Sequence, residues 1–146
     1  MNSKHHWESV YQSNTADQVS WFRPHLEASI DYIQAAAPDP HAAIIDVGGG
    51  EATLVDDLLT LGYNNITVLD ISESAIAATQ RRLVDVSSHV KWRVGDITQA
   101  RLPEHCYAVW HDRAVFHFLV DPFSRAAYVR QLRHSLVPGG HVVMAT

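Results

Sequence analysis

The sequence predicts a three-layer α/β fold built on a doubly wound, mostly parallel sheet. Three observations carry this. Short β-branched apolar runs alternate with helix-length segments from residue 42 onward, a triple glycine follows the first of those runs, and polar residues collect where the runs end. Repeated strand-helix-strand units with right-handed crossovers generate such a sheet, and sheets of this kind bind ligands outside the carboxyl ends of their strands, where the winding direction reverses.

The elements follow in order. Residues 6–13 and 25–37 read as two N-terminal helices, the second placing Leu26, Ile30 and Ile33 on one face and ending at Pro38-Asp39-Pro40. Residues 14–24 form a loop between them, carrying Trp21 and Phe22. Then come a strand over 42–47, a helix over 53–61, a strand over 65–69, a helix over 74–86 and a strand over 90–94. Gly62 stands at the C′ position of one helix, and Ser72 or Glu73 caps the next, whose Ala75, Ile76, Ala78, Thr79 and Leu83 make a narrow apolar stripe. A fourth strand is expected at 107–110, a helix opened by Asp121-Pro122 at 122–136, and a fifth strand at 141–145 after a Pro138-Gly139-Gly140 turn.

Composition narrows the function. A chain of 146 residues fits a single domain, with residues 1–40 as an N-terminal addition to a core over 41–146, and about 70% of its unfolded surface is available for burial. The net charge of −5 disfavours a nucleic acid or an anionic membrane as partner. Cys106 is the only cysteine, and the opening MNSKHHWESV has no apolar signal core, which favours the cytoplasm. No run approaches the roughly 18 apolar residues of a membrane span.

The segment AAIIDVGGGE over 42–51 joins a buried strand to a glycine turn at Gly48, Gly49 and Gly50, whose missing side chains let the backbone wrap closely around a ligand. Asp70 ends the second strand twenty positions after Gly50, a spacing at which a carboxylate accepts hydrogen bonds from both ribose hydroxyls of an adenosine. Its alternative is a loop carboxylate capping the next helix. Asp96 follows the third strand, either as an ordinary Gly-Asp turn residue or as an acceptor for an adenine amino group with Ile97 against the ring. Residues His111 to Arg113 are expected after the fourth strand. A nicotinamide dehydrogenase shares the turn and the acid, but its third glycine falls here on Thr53, and Glu51 would repel a pyrophosphate. An acidic wall instead suits a sulfonium-bearing amino acid with its own ammonium group.

With GGG-E, the terminal Asp70, Gly95-Asp96 and the Pro138-Gly139-Gly140 turn, the chain resembles class I S-adenosylmethionine-dependent methyltransferases from about residue 6 to its end. HWESVYQSN and VSWF near the N-terminus resemble the amino-terminal lid of small methyltransferases related to the eukaryotic elongation-factor lysine methyltransferases, and VWHDRAVFHFL over 109–119 resembles a bacterial branch of the same proteins. The resemblance implies a Rossmann-like sheet of order 3-2-1-4-5 with S-adenosyl-L-methionine at the switch between strands one and four. It implies that Gly48, Gly49 and Gly50 lie under the methionine part, that Asp70 with Ile71 holds the ribose, and that Asp96 with Ile97 meets the adenine. It further implies that Trp7, Tyr11 and Trp21 close over the cofactor and that His111 or Asp112 approaches it from the fourth strand. The three aromatics have an ordinary alternative in core packing.

Methyl transfer by in-line displacement asks mainly for positioning and exclusion of water. Asp112 or His117 is the candidate base for an amine or hydroxyl acceptor, and Arg113 pairs either with an acidic substrate group or with Asp112 or Asp121. Ten histidines include no HxxxH or HExxH spacing, so solvated or core-satisfied imidazoles are expected rather than a metal site. The acceptor, a protein side chain or a small molecule, is not legible. The family continues past the fifth strand with strands 6 and 7, which this sequence lacks, so the chain is expected to be a fragment, a non-catalytic cofactor-binding module, or a domain whose last strand pairs with a partner or a second copy.

Overall fold

The structure, a computed structural model, describes Lys4 and residues 25–145. The expected helix over 6–13 and the loop over 14–24, with Trp7, Tyr11 and Trp21, lie outside the described residues. The described elements are α1 (Glu27–Ala36), β1 (Ile44–Val47), α2 (Leu54–Thr60), β2 (Ile66–Asp70), α3 (Glu73–Arg82), β3 (Val90–Val94), β4 (Tyr107–Asp112), α4 (Pro122–Ser135) and β5 (Leu136–Met144), with single 3-10 turns at Ser87–His89 and Phe116–Phe118. No helix among the described residues is long and apolar enough to cross a membrane.

The five strands form one sheet of order β3-β2-β1-β4-β5, and every pair in it is parallel. This is the expected order. β1 lies in the middle with all four of its residues buried, as befits a strand covered on both faces. Period-two alternation splits its side chains between two cores. Ile44 joins Ile33 of α1, Leu54 and Leu58 of α2, Ile76 of α3 and Val109 of β4 on one face, while Ile45 and Val47 join Ile97, Trp110 and Tyr128 of α4 on the other. Three helices therefore cover one side of the sheet and α4 the other, giving the three predicted layers.

The caps are those the residue types dictate. Ser72 Oγ accepts the Ala75 N–H at 3.1 Å to start α3, and Asp121 accepts the Phe123 N–H at 3.1 Å to start α4, with Pro122 in the first turn.

Beyond shifts of one or two residues at other ends, and an α3 that stops at Arg82 where 86 is expected, two boundaries differ in ways that bear on the site. β4 runs on through His111 and Asp112, which were expected beyond its end. Polar side chains interrupt the apolar run after Trp110, yet each finds buried hydrogen-bond partners, so the extended backbone continues. The second correction concerns β5, which starts at Leu136 directly after α4 and contains Pro138-Gly139-Gly140 within it. Pairing passes from Tyr107 with Leu136 to Val109 with His141, so the extra residues bulge out of the ladder around a proline that has no N–H to give. β5 pairs with β4 alone in the described sheet and leaves Val142 and Met144 exposed.

Candidate functional site

The C-terminal ends of β1, β2 and β3 lie side by side. The Gly48 N–H donates to Leu69 O at 2.7 Å and the Gly95 N–H to Asp70 O at 2.9 Å, so the glycine turn, Asp70 and the Gly95-Asp96 corner are tied together along one edge of the sheet. The grouping of these three features, expected from their places at the C-terminal ends of successive strands, is present.

The turn after β1 needs its glycines. Gly48 has φ +74 and Gly50 φ +50, conformations that L side chains adopt only with strain. A Cβ on Gly49 would meet Val68 Cγ1 at 2.7 Å and Asp46 Oδ2 at 2.8 Å. The Ala52 N–H closes the turn onto Gly49 O at 2.9 Å. From the helix side, Thr79 Oγ1 donates to Gly50 O at 2.8 Å, and the Arg82 guanidinium donates to Glu51 O and Ala52 O, each at 3.2 Å. Burial raises the Glu51 carboxyl above the usual range, with Arg82 and then Arg81 pulling it back.

Asp70 is buried at the end of β2, and its Oδ1 accepts the Ser72 N–H at 2.8 Å. Ile71 is half-buried. Asp96 is also half-buried, and both of its short bonds, from the Thr98 N–H at 2.9 Å and Thr98 Oγ1 at 2.7 Å, fall on Oδ1. The Ser72 and Thr98 N–H bonds close Asx-type turns, which fix the direction of each carboxylate. Ile97 is buried in the second core.

Asp46, His111 and Asp112 occupy different surroundings from those three. Asp46 and His111 face each other across β1 and β4 in register, with Nδ1 to Oδ1 at 2.9 Å, and His111 Nε2 reaches Ser29 Oγ of α1 at 2.9 Å. Both ring nitrogens are thus engaged inside the protein, directly beneath the glycine turn. Asp112, one residue on, points to the opposite face. It accepts the Val115 N–H at 2.8 Å, the Phe116 N–H at 3.1 Å and the Tyr128 hydroxyl, which in turn accepts the Trp110 indole N–H at 2.8 Å. Burial raises the Asp112 carboxyl, and these donors only partly offset it. Burial and the neighbouring Asp112 charge raise Tyr128 as well.

Arg113 is half-buried just after β4, and His117 is exposed on the Phe116–Phe118 turn, its ring 4.1 Å from that of Phe118. Among the described residues no group of three or more histidine, cysteine, aspartate or glutamate side chains is arranged to hold a metal ion. Ser29, Thr79, Arg82 and Tyr128 were not anticipated as parts of this region. Thr79 carried a signal, being the one hydroxyl in the apolar stripe of its helix, whereas nothing local marks Ser29.

Residues 44–140 match the model of a methyltransferase domain family. Over 144 residues, 97% of this chain, the sequence is 24% identical to the eEF1A lysine and N-terminal methyltransferase of Mus musculus, and over 160 aligned positions it is 23% identical to the EEF1A lysine methyltransferase 2 of Danio rerio. The chain spans 20% of the mouse protein and 69% of the zebrafish one. Its fold is similar to that of the glycopeptide N-methyltransferase MtfA complexed with S-adenosyl-L-methionine, with a TM-score of 0.67 and 20% identity over 81% of this chain and 48% of that one. With a family model covering most of its length and the sheet order of the class I fold, the chain belongs to the methyltransferase domain family, in its class I, S-adenosylmethionine-dependent form.

Proposed function

We propose that the chain transfers a methyl group from S-adenosyl-L-methionine to an amine, with the ε-amine of a protein lysine as the first acceptor to test. One observation carries the cofactor half of this reading: Asp70 and the Asp96 corner, tied through the Gly95 N–H to Asp70 O bond, flank a glycine turn in which a Cβ on Gly48 or Gly49 would meet neighbouring side chains within 3 Å. The residues fit the group. Asp70 would accept from the ribose hydroxyls beside Ile71, Asp96 from the adenine amino group beside Ile97, and the backbone of Gly48, Gly49 and Gly50 would lie against the amino-acid part.

When bound, the cofactor supplies a methyl already activated on a sulfonium. The protein has then to hold the acceptor in line and keep water away. Asp112, with three donors on its carboxylate, supports a role in holding the 113–118 loop. His117, exposed on that loop, would take a proton from an incoming amine, and Arg113 would meet an acidic group on the acceptor. The likeness to the mouse and zebrafish eEF1A lysine methyltransferases, both longer than this chain, supports an amine acceptor.

Calorimetric titration with S-adenosylhomocysteine tests the cofactor half. Saturable binding is expected, weakened about 10- to 100-fold in Asp70→Ala, the worth of a charged hydrogen bond. A folded sample that takes up no ligand at millimolar concentration rejects the reading. Mass spectrometry of lysine peptides and small amines incubated with the methyl donor then tests the acceptor.

A further inference from the structure

We propose that Thr79 and Arg82 of α3 are positioning residues that hold the glycine turn by its outer carbonyls and thereby set the grip on the amino-acid arm of the cofactor. The proposal rests on the cofactor reading above and deepens it.

Three successive carbonyls of the turn, Gly50, Glu51 and Ala52, are each taken by a side chain of the same helix. Thr79 Oγ1, fully buried, holds the first at 2.8 Å, and the two terminal nitrogens of Arg82 hold the second and third at 3.2 Å. Arg82 is itself fixed, with its terminal nitrogen 2.6 Å from Asp56 Oδ1 and Nε 3.1 Å from Oδ2. The guanidinium thus spans α2, α3 and the turn. A planar fork reaches two carbonyls and a carboxylate at once, and a lysine ammonium does not reproduce that geometry.

The consequence lies in the peptide planes. No peptide bond in the described chain is cis, so each N–H points opposite to the carbonyl of the preceding residue. Drawing Gly50 O toward α3 turns the Glu51 N–H away from it. Released, the Gly50 and Ala52 carbonyls would be free to rotate toward a bound carboxylate and repel it, whereas the Glu51 peptide keeps its Ala52 N–H bond to Gly49 O. Two positive-φ glycines make this turn unusually free to do so, which is why it needs an external hold.

The other end of α3 is tied to the ribose acid, since Ser72 caps the helix and its N–H donates to Asp70 Oδ1. One ten-residue helix therefore spaces the two parts of the site. Only the glycine end depends on Thr79 and Arg82, so their loss should be felt by ligands that carry the amino-acid arm and not by ligands that lack it.

The test is a titration of wild type, Thr79→Val, Thr79→Ser and Arg82→Gln with S-adenosylhomocysteine and with 5′-methylthioadenosine, which has no amino-acid arm. Thr79→Val and Arg82→Gln should each weaken S-adenosylhomocysteine about tenfold, the value of one buried or charged hydrogen bond, and leave methylthioadenosine unchanged. Thr79→Ser, which keeps the hydroxyl, should restore wild-type binding. Equal losses for both ligands, tracking a lowered melting temperature, mean a purely structural role and overturn the proposal, as does unaltered binding of both. If wild type itself binds neither ligand, it is the cofactor reading that has failed. Because Arg82 is partly exposed, Arg82→Gln gives a readout even if Thr79→Val does not fold.

Discussion

Val115 Cγ2 rests against the backbone of Gly48 so closely that a Cβ at position 48 would lie 2.1 Å from it. The loop after β4 is therefore packed directly onto the first residue of the glycine turn, and Gly48 is needed on two counts, its φ of +74 and this contact. Gly48→Ala should cost about 1–3 kcal/mol from backbone strain alone, read as a lowered denaturant midpoint. Adding Val115→Ala relieves the clash but not the strain, so the double variant should recover only part of the loss. Full recovery would mean that the positive φ carries no penalty here.

What holds Val115 in place is Asp112, and what holds Asp112 is Tyr128. Tyr128→Phe removes the hydroxyl that donates to the buried carboxylate and accepts from Trp110, and should cost about 1–3 kcal/mol. The loss depends on pH with a definite sign. Asp112 already titrates above the ordinary carboxylate range because it is buried, so its ionisation works against the fold as pH rises from about 4. Without the Tyr128 donor its folded pKa rises further. The stability gap between wild type and Tyr128→Phe should widen from acid to neutral pH, and urea melts at the two ends of that range would show it. A gap that narrows would place the charge elsewhere.

The pair beneath the turn makes a separate prediction. His111 and Asp46 are almost wholly inaccessible, and the ring also meets Ser29 of α1. His111→Phe leaves the Asp46 carboxylate buried without its ring donor, which should destabilise by about 3–5 kcal/mol. Asp46→Asn with His111→Gln keeps a neutral hydrogen-bonded pair, so it should lose much less. Thermal melts of the two variants separate the alternatives, and equal losses would mean that volume rather than charge is what matters at this position.

Much of this was legible in the sequence because it depends on local signals. The apolar β-branched runs mark β1 and β2, the alternation of Val90, Trp92 and Val94 with Lys91 and Arg93 marks β3, Asp121-Pro122 marks the start of α4, and the twenty-residue interval from Gly50 to Asp70 is set by one helix and one strand. His111 and Asp112 show where such reading stops. Polar residues after an apolar run signal the end of a strand only if they reach water, and here alternation sends one to Asp46 and Ser29 and the other to Tyr128, partners 65, 82 and 16 positions away. No window of sequence contains those contacts. The bulge in β5 was missed for a related reason, since Pro138-Gly139-Gly140 spells a turn whether it sits between two elements or inside one.

The entrance to α1 carries a pH dependence that can be followed at one residue. His25 Nδ1 lies 2.9 Å from Asp57 Oδ2 and 3.1 Å from Oδ1, joining the start of α1 to α2. The hydrogen bond to Asp57 raises the His25 pKa above its ordinary value, followed by the Asp57 charge, with smaller upward contributions from Glu27 and Asp56 against a slight lowering by burial. A histidine whose folded pKa is raised contributes stability that is complete below its unfolded value, near 6.5, and is lost as pH rises through the folded value. The link between α1 and α2 should therefore loosen across neutrality. In an NMR titration the His25 ring should show an elevated midpoint that falls toward the ordinary value in Asp57→Asn. High salt should lower the wild-type midpoint only partly, because it screens the charge and leaves the hydrogen bond. Indistinguishable midpoints in the two proteins would show that the ring and the carboxylate do not interact in solution.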